Sequence, residues 1–158
     1  MEQYKRKDFA HYYNTATSQN PSWKREGVGV DALSLSFNPQ IDQYKTILDD
    51  MSDATFNNYQ VQASISGKRI YQGDDIWDYL NTARKNSTYI ETEMLEIDMK
   101  SLNLGSYDAL KYNVLIVINE FLGENSTISY DLYVKGSPVI GTATISDGVP
   151  SFTATASL

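Results

Sequence analysis

At 158 residues the chain has the length of one domain, and with 41% hydrophobic and 21% charged residues it reads as a folded globular unit rather than a membrane-embedded or disordered one. Thirteen Lys and Arg against twenty Asp and Glu leave a formal charge of −7, which argues against tight phosphate binding through a broad basic surface. Cysteine is absent, excluding disulfide frameworks, zinc ribbons and thiol catalysis. No apolar signal-peptide segment follows Met1–Asp8 and no window approaches ~18 apolar residues, so the expectation is a protein neither secreted by that route nor spanning a membrane. On that expectation the two Asn-Ser-Thr sequons at Asn86 and Asn125 are chance matches.

Residues 1–29 show no sustained apolar period and read as an extended N-terminal arm, with Trp23 as its anchor. Leu33, Leu35 and Phe37 alternate with Ser34 and Ser36, the pattern of a half-buried strand that Asn38-Pro39 stops. Residues 38–58 read as a long loop with scattered apolar positions, Ile41, Tyr44, Ile47 and Leu48, and an acidic group, Asp49, Asp50 and Asp53. Val61, Ala63 and Ile65 then share one strand face, and Gly67-Lys68 reads as a turn into a short strand ending at Tyr71. A helix is expected over 74–86: Asp74 is placed to cap it, Asp75 and Asp78 sit near its positive end, and Arg84 and Lys85 in its last turn. Ile76, Leu80 and Ala83 form its apolar stripe, with Trp77 beside them.

Between Thr88 and Lys100 the period is two but the apolar phase changes, from Ile90, Thr92 and Met94 to Leu95, Ile97 and Met99. A bulge near Met94-Leu95 would reconcile the two halves. Tyr112–Ile118 is apolar on both faces at its centre, which suits a core strand. Three short strands follow, Ile128–Val134, Val139–Ile145 and Phe152–Ala156, separated by Gly136-Ser137-Pro138 and by Asp147-Gly148, the latter a strong hairpin signal. The fold class is mainly β with one flanking helix.

Catalytic chemistry finds little support. His11 is the single histidine, so no multi-imidazole metal site is possible. Neither Asp49, Asp50, Asp53 nor Asp74, Asp75, Asp78 has the spacing of a calcium loop, and solvated carboxylates explain both groups. Glu91, Glu93, Glu96 and Asp98 fall opposite the apolar positions of their strand, a polar face rather than a glycosidase pair. No phosphate loop, nucleophile elbow or zinc-protease helix occurs, so the chain is expected to be no enzyme and to need no cofactor or metal. Twelve tyrosines suit interfaces, and leave open a non-enzymatic β-sandwich module that binds carbohydrate or protein.

Four segments, in order, carry a family resemblance: Trp23-Lys24-Arg25-Glu26-Gly27-Val28-Gly29-Val30; Leu33-Ser34-Leu35-Ser36-Phe37-Asn38-Pro39; Tyr71-Gln72-Gly73-Asp74-Asp75-Ile76-Trp77-Asp78-Tyr79-Leu80, with Asp75 where the family usually has proline; and Glu91-Thr92-Glu93-Met94-Leu95-Glu96-Ile97-Asp98. Together they resemble the tail tube (major tail) proteins of long-tailed bacteriophages, particularly those of low-GC Gram-positive hosts. The resemblance implies a two-sheet β-sandwich or barrel subunit with a flanking helix. Copies of it would form hexameric rings that stack into a tube around a tape-measure protein and later conduct DNA. It further implies tail-terminator and baseplate proteins as partners, no membrane, assembly in the host cytoplasm and a final place in the virion tail. By the same analogy residues 38–58 reach the next ring, with Ile41, Tyr44, Ile47, Asp49, Asp50 and Asp53 as contact candidates, and the N-terminal arm does likewise. Glu91, Glu93, Glu96 and Asp98 become candidates for a lumen that repels DNA in transit. Heterologous contacts that close laterally and stay open axially are what such a tube requires.

Overall fold

The structure is a computed structural model and describes residues 1–48 and 50–155. After a short 3-10 turn, Arg6–Asp8, the strands are β1 (Phe9–Asn14), β2 (Trp23–Glu26), β3 (Pro39–Tyr44), β4 (Asp53–Tyr59) and β5 (Gln62–Arg69). Helix α1 (Asp75–Lys85) precedes β6 (Ile90–Asp98), β7 (Tyr107–Leu122), β8 (Thr127–Ser146) and β9 (Val149–Ala154). The main sheet is antiparallel in the order β2-β1-β6-β7-β8-β5, with β9 also paired to β8, while β3 and β4 form a separate two-stranded sheet. The chain is therefore mainly β with one helix, and the main sheet is a nearly closed barrel. Closure comes from the segment after β2: Arg69 donates its N–H to Gly29 O at 3.0 Å, and Ser36 and Gln62 exchange backbone hydrogen bonds of 2.7 and 2.9 Å.

The helix forms as its sequence requires. The Asp74 side chain accepts from Ile76 N at 3.1 Å, and Ile76, Leu80 and Ala83 bury one stripe against the sheet. Beneath it lies the larger core, which includes Tyr13, Ile65, Met94, Val114, Ile116, Tyr130 and Leu132. A smaller core, with Tyr12, Trp23, Leu95, Ile97, Ala109 and Ala143, gathers on the opposite face of the sheet.

These two cores correct the expected bulge in β6. Its pairing to β7 runs without a shift from Ile90↔Ile116 to Ile97↔Ala109, and its pairing to β1 is equally regular. Adjacent residues of a strand point to opposite faces, so Met94 enters one core and Leu95 the other, both fully buried. The phase of the apolar pattern changes because the buried face changes.

The expected arm over 1–29 is corrected in the same way. Residues 9–14 and 23–26 are strands of the main sheet, and β1 lies between β2 and β6. Tyr12 goes to the smaller core and Tyr13 to the larger, so β1 is buried on both faces and shows no two-residue alternation. Residues 33–37, expected as a strand, make only the Ser36↔Gln62 bridge; Leu33 and Leu35 instead pack their side chains against the larger core. Residues 38–58, expected as a loop, contain the β3–β4 hairpin. The expected break at Gly136-Ser137-Pro138 is a register shift inside the continuous β8, whereas Asp147-Gly148, with φ of 52° and 78°, makes the expected two-residue turn into β9.

Gly67-Lys68 is no turn either. Between Ile65↔Tyr130 and Lys68↔Ile128 strand β5 carries one extra residue, with Gly67 at φ +66°. This is a glycine bulge, and one added residue reverses which face the following side chain takes. Lys68 is thereby turned from the solvent side to the interior. Among the described residues no helix is long and apolar enough to cross a membrane.

Candidate assembly surfaces

The β3–β4 hairpin is the most exposed part of the chain. Its base is tied by Gln60 N–H donating to Phe37 O at 3.0 Å and by Asn38 Nδ2 donating to Gln60 O at 3.0 Å. Phe37 meets Tyr59 edge-on and Tyr59 meets Phe56 at a tilt, with ring centroids 5.6 and 4.9 Å apart. Beyond the base, its two strands pair chiefly with each other. Ile41, Tyr44, Phe56 and Tyr59 are each about half exposed, while Ile47, Leu48 and Met51 near the tip are 99%, 91% and 82% exposed. An isolated two-stranded hairpin is marginal in water, and this gathering of exposed apolar side chains makes the hairpin a candidate contact surface. Of the acidic candidates, Asp53 accepts from Tyr44 Oη at 3.2 Å and Asp50 is exposed; Asp49 lies outside the described residues.

The four carboxylates of β6 do not share a face. Glu91 and Glu93 point to the side of the sheet away from α1, and Glu96 and Asp98 to the opposite side, as the regular pairing of β6 demands. Each has a partner. Glu91 is 3.1 Å from Lys135 Nζ, Glu93 is 3.2 Å from Lys111 Nζ and Glu96 is 2.8 Å from His11 Nε2, while Asp98 accepts from Tyr4 Oη at 3.1 Å. Around Glu91 and Glu93 the register places Asn113, Leu115, Tyr133 and Asp131, with Ser64 Oγ donating to Asp131 at 2.7 Å. This open face carries charge of both signs, with Glu91 and Glu93 set beside Lys135 and Lys111.

A buried ionic network joins three elements. Lys68 Nζ, fully buried, is 2.8 Å from Glu26 Oε1, 2.8 Å from Asp74 Oδ2 and 2.6 Å from Val28 O. Glu26 Oε2 accepts from Tyr130 Oη at 2.6 Å, and that oxygen lies 2.9 Å from Tyr13 Oη. Burial, reinforced by neighbouring acidic groups, pushes the Tyr13 and Tyr130 hydroxyls well above the usual tyrosine range. Glu26, Val28 and Asp74, all in segments that carry the family resemblance, thus meet around one ammonium. That convergence was not readable from the sequence, where only a lysine beside a glycine pointed to it.

Trp23, the expected anchor, is buried in the smaller core as the first residue of β2, opposite Asn14. No family model and no curated protein matches the chain. Among solved structures it is similar to a chain of the six-fold symmetrised cryo-EM structure of the anti-feeding prophage baseplate, with a TM-score of 0.49, 9% identity, and coverage of 84% of this chain and 91% of that one. At that score and identity the likeness assigns this chain no function.

Proposed function

We propose that this chain is a structural tail protein of a long-tailed bacteriophage, a non-enzymatic subunit without cofactor whose copies form hexameric rings that stack into the tail tube. The observation that carries the reading is the projecting β3–β4 hairpin, whose apolar tip has no core behind it. Burying a large aliphatic side chain contributes ~1.5–3 kcal/mol, so covering Ile47, Leu48 and Met51 on a neighbouring ring supplies roughly 5–9 kcal/mol before ordering losses. A surface of that strength on every copy favours a polymer, and the four resembling segments say which polymer.

The open face carrying Glu91 and Glu93 is the lumen side under this reading, because α1 covers the opposite face at that level of the sheet. Glu96 and Asp98 then leave the lumen set. Lys111 and Lys135 are each held by a carboxylate, so the wall offers DNA no row of free cations. The tape-measure protein would occupy the bore before DNA does, with tail-terminator and baseplate proteins at the two ends, assembly in the host cytoplasm, and the virion tail as the final location.

Replacing residues 45–52 by Asn-Gly closes β3 onto β4 with a two-residue turn and removes the tip. Sedimentation of this variant should show unchanged single-copy folding and no stacking at concentrations where the intact chain stacks. Equal stacking by both would remove the hairpin from the assembly.

A further inference from the structure

The chain is acidic, yet four of its cations gather at one place. Lys5, Arg6, Lys7 and Arg25 border a groove of about 580 Å³ between the start of β1, the end of β2 and the segment that follows it. All four are exposed, and among the described residues none belongs to an ion pair, although Lys24, Lys68, Arg69, Lys100, Lys111 and Lys135 each do. Two carboxylates also line the groove, and both are engaged: Glu26 with Lys68, and Asp31 with Arg69 at 3.2 Å. His11, at the groove's edge, is held by Glu96.

The floor between these cations is apolar. Phe9 is 42% exposed there, and Val30 and Leu33 are partly buried with their outer surfaces toward the groove. A basic rim around an apolar floor calls for a ligand that is acidic and greasy at once. The hairpin tip answers that description, with Asp49 and Asp50 following Ile47 and Leu48 in sequence and preceding Met51. It does not fill the groove of its own chain, since Ile47 and Leu48 are almost wholly in water.

We infer that the Lys5–Arg25 groove is the receptor for the hairpin tip of a second copy, with Ile47 and Leu48 on its apolar floor and Asp50 against its cationic rim. The inference rests on the stacking proposed above and adds to it the docking site. It makes the contact heterologous, tip to groove, a kind of contact that propagates along an axis when its rotation does not close into a ring. Opposite charges at the rim select this partner and orient it, while the apolar floor holds it.

Charge exchange tests the pairing. Arg6→Glu/Lys7→Glu alters the groove, Asp49→Lys/Asp50→Lys alters the tip, and a fourth protein carries all four changes in one chain. Arg6, Lys7 and Asp50 are exposed, so their replacement disturbs no core. Each pair alone should raise the concentration needed for stacking by about tenfold or more at low salt, and the combined chain should return to within about threefold of the unaltered protein. A combined chain no better than the weaker of its parents overturns the docking site while leaving stacking intact. Absence of stacking by the unaltered protein instead removes the functional reading beneath it. If the groove variant stacks normally but loses retention on duplex DNA, the groove serves nucleic-acid phosphates and the inference fails.

Discussion

Removing the Lys68 ammonium is the sharpest perturbation of the fold. Lys68→Met keeps an unbranched chain of similar length in the same space but leaves Glu26 and Asp74 buried with no cation between them, where the native Nζ sits 2.8 Å from each. Deleting one partner of a buried pair destabilises by ~3–5 kcal/mol, a large share of the ~5–15 kcal/mol that holds a domain together. With a urea dependence of ~2 kcal/mol per molar, the unfolding midpoint should fall by ~1.5–2.5 M. The damage comes from uncompensated charge, so neutralising the survivors must repair it. Asn caps a helix as well as Asp, and Gln can still accept from Tyr130. Lys68→Met/Glu26→Gln/Asp74→Asn should therefore recover at least half the loss. A single variant within ~1 kcal/mol of the native protein, or a triple variant no better than the single, would refute the reasoning.

Deleting Gly67 removes the extra residue of the bulge and leaves Lys68 two positions after Ile65, on the same interior face opposite Ile128, so the urea midpoint should fall by less than half as far as in Lys68→Met; an equal fall would contradict this reading of the bulge. Gly29→Ala should destabilise by ~2–4 kcal/mol, because the backbone there has φ +72° and a Cβ would sit 2.3 Å from Arg69 O. A thermal melt that Gly29→Ala does not lower would show that the barrel closure tolerates a wider gap. In spectrophotometric titration, Tyr112 should ionise only near pH 12, its hydroxyl pushed up to about 12 chiefly by burial, and Tyr13 and Tyr130 should resist ionisation further still. Their folded values lie above the unfolded ~10, so their contribution to stability is complete below about pH 10 and is lost as pH rises above it. Twelve tyrosines all titrating together near pH 10 in the folded protein would contradict this.

Legibility in the sequence followed how one-sided an element is. Helix α1 was readable to its cap because one face meets a core and the other water, and Asp147-Gly148 was readable because a two-residue turn demands left-handed residues. Strand β1 was hidden, since Ala10, Tyr12 and Tyr13 are all buried but divide between two faces, and tyrosine looks half-polar in a pattern count. The change of phase at Met94-Leu95 was visible, but its cause, a second core on the other face, needs long-range pairing to see. The same dependence governed the candidate surfaces. Ile41, Tyr44 and Ile47 could be picked out as a greasy excursion, yet nothing local says that residues on both sides of the tip pair into a hairpin. Sequence alone also could not show that each β6 carboxylate meets its own partner, for those partners lie between 18 and 94 residues away in the chain: Lys111 from Glu93, Lys135 from Glu91, His11 from Glu96 and Tyr4 from Asp98.

The most direct measurement is electron microscopy of the purified chain over a rising concentration series. The account predicts rings of one bore that join end to end into tubes as concentration increases. Particles of a single copy at every concentration and salt would contradict it.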